Sequence, residues 1–189
     1  MYIAEQNMVS CAVGLSSRRK IPFVSTFSAF FSRAHDQIRM AAYANSNIKF
    51  CGSHAGVSIG QDGASQMGLE DISMFRSLFG CVVLYPSDGV STQKLVEETA
   101  KYYGLVYIRT TRMEMPVIYD SAEGFEIGGS KTLKSSSKDK FAILAAGVTL
   151  HEALKAYEDL QKEGISVRII DLYSIKPIDC ATLEKAGEE

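Results

Sequence analysis

Four sets of residues have types and spacing that could do chemistry. In Ile3-Ala4-Glu5-Gln6-Asn7-Met8 an acid stands beside apolar residues at the start of a helix. At the least, a carboxylate there complements the positive end of the helix dipole. Phe27 and Phe30 fall on the apolar face of a predicted helix, where core packing is the default for an aromatic ring. His54 and Asp62 lie in the glycine-rich run Ser53-His54-Ala55-Gly56-Val57-Ser58-Ile59-Gly60-Gln61-Asp62-Gly63. Such groups on a loop are often just solvated, but polar side chains on a long loop at a ligand edge are better placed than most for function. Arg112 follows Arg109-Thr110-Thr111 just past a buried strand, where a guanidinium can clamp a phosphate through two parallel bonds. The sequence has no P-loop, dinucleotide-binding glycine fingerprint, nucleophile elbow or metal-binding helix.

The elements that must position these groups alternate between helix and strand. Residues 5–15 read as a helix and 22–26 as a short strand. Phe27, Phe30, Phe31, Ala34, Ile38, Ala41 and Ala42 have the i, i+3, i+4, i+7 spacing of one amphipathic helix. Residues 48–51 form the next strand, and the glycine-rich stretch 52–68 is a long loop, of a length that is usually functional or disordered. Leu69, Ile72, Phe75 and Leu78 mark a short helix, and 81–85 a strand stopped by Pro86. Asp88 or Ser91 can cap the helix that carries Leu95, Val96, Ala100 and Tyr103. Residues 105–108 are another buried strand.

After it the periodicity lapses, and the Ser-rich stretch 131–140 reads as a linker or exposed hairpin. A strand at 141–145, a helix begun by a Thr149–Glu152 capping box and ended by Gly164, and a strand at 165–172 follow. The fold class is therefore α/β, a parallel sheet with helices on both faces, followed by the beginning of a second α/β domain. The expected division is 1–130, a linker at 131–140, and 141–189. In such sheets ligands gather beyond the carboxyl ends of the strands, which is where the loop 52–68 departs.

Bulk properties narrow the partners. The 189 residues allow one ordinary domain or one and a half small ones. A formal net charge of −2 provides no concentrated basic face, so no nucleic acid is expected, and Arg18-Arg19-Lys20 reads as a solvated helix end. No apolar run is long enough to span a membrane. Cys11, Cys51, Cys81 and Cys180 form no C-x-x-C pair, and each sits in an apolar stretch where a cysteine packs as a small buried hydrophobe. With no signal peptide, this usage leads us to expect a cytoplasmic location.

The segments IAEQNM, STFSAFFSRAHDQIR, GSHAGVSIGQDGASQM, LEDISMFRSL, YPSDGVS and IRTTR, in this order and spacing, resemble the animal-type transketolase family. GVTLHEAL and IKPID extend the resemblance into the second unit. It implies a thiamine diphosphate enzyme that moves a two-carbon ketol unit between sugar phosphates, in the pentose phosphate pathway. Glu5 matches the glutamate that bonds the aminopyrimidine ring and, by sharing a proton with a ring nitrogen, activates the cofactor. Phe27 and Phe30 match aromatics that pack on that ring. His54 and Arg112 match residues that bind the sugar and its phosphate, His54 close to the chemistry. Asp62 matches an acid that bonds a substrate hydroxyl, and Gln66 sits where the family has a glutamine or histidine near the reacting carbonyl. The chain departs from the family at Arg33, where a further aromatic is frequent, and at Gln61 and Ala64, where EDGPS or EDGPT is common.

The family holds the diphosphate and a divalent metal, Mg2+ or Ca2+, on a separate amino-terminal domain with a GDG motif, which does not occur here. Its site lies between subunits. The resemblance therefore implies a homodimer partner or a complementary diphosphate-binding domain, with sugar phosphates as substrates. Met1 to Met8 lead into a helix with no preceding strand, and Glu189 falls inside a fresh helix, so the chain is expected to be a fragment without turnover alone. Within the wider superfamily, 1-deoxyxylulose-5-phosphate synthase and the beta chains of 2-oxo acid dehydrogenases also carry a glutamate in an IAEQ-like motif. The His54-to-Asp62 spacing, and Gln66 followed by LEDISMFRS, favour transketolase. A catalytically silent interaction module is the non-enzymatic alternative.

Overall fold

Strands form where apolar runs can be covered from both sides. The computed structural model describes residues 1–188, and in it β1 (Phe23–Phe27), β2 (Lys49–Ser53), β3 (Val82–Leu84) and β4 (Val106–Arg109) build a parallel sheet in the order β1-β2-β4-β3. β3 and β4 are buried along their whole length, as central parallel strands must be. Their side chains alternate between faces. Val83 and Tyr107 join Val9, Phe31, Ile38, Phe50 and Phe75 in one core. Val82, Leu84, Val106 and Ile108 join Leu95, Tyr119, Phe125 and Tyr173 in another. Helices α1 (Glu5–Ser17), α2 (His35–Tyr43) and α3 (Asp71–Arg76) supply the first core, and α4 (Gly89–Lys101) the second.

The second unit has a three-stranded sheet in the order β5-β7-β6, from β5 (Lys131–Lys134), β6 (Ala142–Ala145) and β7 (Arg168–Asp171). Helix α5 (Val148–Lys162) packs on it through Leu150, Ala153 and Leu154. Strand β8 (Ser174–Lys176) crosses back and adds to the first sheet, antiparallel to β3. A buried polar seam joins the units. Ser87 and Tyr119 donate to Asp171 at 3.0 and 2.6 Å, and the Gly147 amide donates to Ser87 Oγ at 3.0 Å.

Several sequence expectations need correction. Residues 27–42 are not one α-helix: Phe27 ends β1, Ser28–Ala34 is a 3-10 helix, and α2 begins at His35. Ser28 donates to the Ser53 carbonyl at 2.6 Å, which ties this turn to β2. Phe31, Ala34, Ile38 and Ala41 still face the core, because i, i+3 spacing serves both helix types. The stretch 131–140 is not simply a linker or exposed hairpin, since Lys131–Lys134 is β5, paired antiparallel with β7. The Thr149–Glu152 capping box does not form. Gly147, at φ 55°, begins α5, Thr149 bonds back to Ala146, and Glu152 pairs with Lys155. Cys11 and Cys180 are exposed rather than buried, and only Cys81 is fully enclosed; all four are free thiols.

Other expectations match. Asp88 and Ser91 form a reciprocal capping box at α4. Arg18, Arg19 and Lys20 are exposed at the end of α1. Helix α6 spans Cys180–Glu188, and Glu189 lies outside the described residues. No helix among the described residues is long and apolar enough to cross a membrane.

Candidate functional site

Because β1, β2 and β4 are neighbours, their carboxyl ends bring Phe27, His54 and Arg112 to one edge of the sheet. Helix α1 begins at that edge with Glu5, which is 6 % exposed. Thr26, on β1, donates to Glu5 Oε1 at 3.3 Å. Arg33 Nη1 donates to both carboxylate oxygens, at 3.4 and 3.3 Å. These residues, with Tyr2, Ile3, Phe27 and Phe30, line a cavity of about 410 Å³.

The 3-10 helix explains the arrangement of its wall. With three residues per turn, side chains three apart eclipse one another, and positions 27, 30 and 33 are spaced by three. The Phe27 and Phe30 rings stack with centroids 5.2 Å apart, and the Arg33 guanidinium carbon lies 4.5 Å from the Phe30 centroid. The His54 imidazole stacks on Phe27 at 3.7 Å, with 13° between the planes. His54, Phe27, Phe30, Arg33 and Glu5 thus form one continuous chain of contacts.

His54 leaves β2 with φ 57°, a left-handed conformation that costs a histidine roughly 1–3 kcal/mol. The residues that follow are ordered in two 3-10 turns, Val57–Asp62 and Ala64–Gln66, with a kink at Gly60 (φ 72°). This brings Asp62 Oδ2 to 4.0 Å from His54 Nε2 and 3.1 Å from Arg112 Nε. Arg112 also donates from Nη1 to the Ile59 carbonyl at 3.1 Å. Gln66 does not join this cluster: among the described residues its side chain bonds only the neighbouring Ser65 hydroxyl. Glu5, Phe27 and Phe30 therefore share one cavity, His54, Asp62 and Arg112 share one loop cluster, and the His54–Phe27 stack connects the two.

A network under the loop was missed by sequence reasoning. Arg109 donates from Nε and Nη2 to the two oxygens of Asp71, at 2.8 and 3.3 Å, and from Nη2 to the Gly68 carbonyl at 3.0 Å. Tyr107 donates to Asp71 at 2.6 Å; burial and that carboxylate push its hydroxyl well above the usual range, so it remains a donor. Burial also works against the charge of Arg109, but Asp71 prevails and raises its pKa. The network fixes the loop's far end, where the Gly56 amide donates to the Gly68 carbonyl at 2.8 Å and Ser28 packs too closely on Gly68 for any side chain there. No sequence signal pairs residues 38 apart. Arg33 did have a signal, its three-residue offset from Phe30. The described residues contain no group of three or more His, Cys, Asp or Glu able to hold a metal ion.

Residues 1–117 match the family model described as transketolase, pyrimidine binding domain, and residues 130–189 match that of the transketolase C-terminal domain. The chain belongs to the transketolase family. Transketolase of Mus musculus is 57 % identical over 179 residues, covering 94 % of this chain and 29 % of that protein. Transketolase of Homo sapiens matches to the same extent, and human transketolase-like protein 2 is 52 % identical over 182 residues. The chain thus spans 29 % of the length of these curated relatives. Among solved structures, a split-gene transketolase described as an inactive β4 tetramer superposes with a TM-score of 0.91 at 38 % identity, over 100 % of this chain and 61 % of that one. Transketolase of Campylobacter jejuni, 22 % identical with a TM-score of 0.87 over 96 % of this chain and 29 % of that one, shares the fold.

Proposed function

We propose that this chain is the pyrimidine-holding part of a thiamine diphosphate-dependent transketolase, moving a two-carbon ketol unit between sugar phosphates. The observation that carries the reading is Glu5, a buried carboxylate at a cavity of about 410 Å³ walled by Phe27 and Phe30. That set fits an aminopyrimidine: an aromatic wall to pack against a flat ring, and an acid to meet a ring nitrogen. When bound, the cofactor supplies the nucleophilic carbon and the electron sink.

Every other task in this part of the site falls to side chains of this chain. Glu5 holds a proton against the ring nitrogen, and Thr26 fixes the carboxylate by donating to Oε1. Phe27 and Phe30 orient the ring. His54, Asp62 and Arg112 face the sugar phosphate, with Arg112 toward the phosphate and Asp62 toward a hydroxyl. Gln66 stands at the rim of the same loop. The diphosphate and its divalent metal, Mg2+ or Ca2+, are assigned to a complementary amino-terminal domain, contributed across a homodimer or by a separate chain. The inactive tetramer formed by the split-gene relative supports the view that this part does not turn over alone.

Calorimetry tests the division of labour. Thiamine diphosphate should bind this chain near the millimolar range, where ring contacts alone operate. Adding a complementary diphosphate-binding domain and Mg2+ should restore tight binding and ketol transfer. Micromolar affinity for the chain alone would overturn the assignment.

A further inference from the structure

The pocket assigned to the aminopyrimidine already holds a flat group that donates hydrogen bonds. The Arg33 guanidinium carbon lies 4.5 Å from the Phe30 centroid, and its Nη1 donates to both oxygens of Glu5. The Arg33 side chain is 46 % exposed and that of Glu5 7 %, so the arginine stands on the solvent side of the pair. Stacked carbon atoms sit roughly 3.5–4 Å apart, so a ring inserted between Phe30 and the guanidinium would need a gap of about 7–8 Å. The observed gap is filled. Arg33 has no further partner among the described residues, and its long, half-exposed side chain can swing into water.

We infer that Arg33 is a latch on this pocket, occupying the Phe30 face and the Glu5 oxygens that a pyrimidine ring would use and leaving when the ring seats. The inference rests on the reading of the cavity as a pyrimidine site. The latch keeps the buried carboxylate paired in the empty pocket, where an unpaired charge would be costly. It also lowers ring affinity, because only the open fraction of molecules is competent to bind. A guanidinium that stayed to cover the bound ring would have the opposite effect and strengthen binding.

The two possibilities separate in a titration of the whole chain with 4-amino-5-hydroxymethyl-2-methylpyrimidine, a neutral probe lacking thiazolium and diphosphate, followed by calorimetry. Arg33→Met, which keeps length but removes every donor, should bind about ten-fold tighter than the unmodified chain. Arg33→Gln should also gain, which covers the case of a poorly folded methionine variant. In the unmodified chain, added salt should strengthen binding by screening the Arg33–Glu5 pair, and in Arg33→Met it should not. Equal or weaker binding by both Arg33 variants, with the unmodified chain still binding, overturns the latch alone. Absence of binding by every form overturns the pyrimidine pocket and the latch with it.

Discussion

Arg112 Nε lies 3.1 Å from Asp62 Oδ2. The arginine assigned to the phosphate and the acid assigned to a hydroxyl are therefore partners before any substrate arrives, and His54 approaches the same carboxylate oxygen at 4.0 Å. Each residue sets the orientation of the others, so their effects on substrate should not be additive.

In the whole protein, Arg112→Ala should raise KM for phosphorylated acceptors about ten-fold or more, since a charge-assisted bond is worth roughly 1.5–3 kcal/mol. Asp62→Ala should weaken discrimination between donors differing in one hydroxyl configuration. The double variant should fall short of the sum by about 0.5–3 kcal/mol in kcat/KM, the range typical of contacting residues. A strictly additive cycle would show that the two read the substrate independently.

Asp71 is 1 % exposed and accepts hydrogen bonds from both Arg109 and Tyr107. Asp71→Ala leaves a buried guanidinium without its counter-charge and should destabilise the chain by about 3–5 kcal/mol. Urea unfolding measures this directly. Because Arg109 also holds the Gly68 carbonyl, hydrogen exchange should quicken at the Gly56 amide, which bonds that same carbonyl. A stability loss without faster exchange would separate the network from the loop.

The sequence was most legible where structure is local. The Asp88–Ser91 capping box joins residues three apart in the chain, so its pattern and its geometry coincide. The break at Phe27–His35 was hidden because 3-10 and α-helices share i, i+3 spacing, and the Ser28 bond that ties this turn to β2 is to Ser53, 25 residues away. The edge strands β5 and β8 were hidden for the same reason. Their sequences are short and polar, and only pairing with β7 and β3 makes them strands. In the site, Glu5, Phe27, Phe30, His54, Asp62 and Arg112 gather at one sheet edge, while the Gln66 side chain bonds its neighbour Ser65 and none of them. Arg109 and Asp71, which hold the loop there, act through contacts made only on folding.

Asp171 introduces a pH dependence. Burial raises its pKa from 3.8 to about 6, although bonds from Tyr119 and Ser87 act against the rise. The folded protein therefore binds this proton more tightly than the unfolded chain does, and the contribution to stability is fully present below about pH 4 and lost by about pH 6. The rise from 3.8 to about 6 corresponds to roughly 3 kcal/mol. Asp171→Asn should abolish this decline, read as the urea midpoint against pH. Asp88 works with the opposite sign in a lower window. Burial disfavours its charge, but Ser91 and the amides of Ile118 and Tyr119 hold its pKa below 3.8, so its contribution is lost on further acidification. A decline from pH 4 to 6 that survives in Asp171→Asn would assign it to another group.

Glu5 gives the sharpest test of the proposed chemistry. Its amide counterpart keeps the shape, can still accept from Thr26 and can still meet Arg33 with one oxygen, so Glu5→Gln should retain the fold. It cannot share a proton with a ring nitrogen. In the whole protein with cofactor and metal, exchange of the thiazolium proton, followed by NMR, should slow by about two to four powers of ten, the usual contribution of a positioned acid or base. Cofactor affinity should change far less, because the stacking surfaces of Phe27 and Phe30 are untouched. The comparison must be made at matched occupancy, so that slow exchange is not mistaken for weak binding. Exchange at the unmodified rate would reduce Glu5 to a charge at the start of α1 and a counter-ion for Arg33. Slow exchange with unchanged affinity would establish it as the group that activates the cofactor.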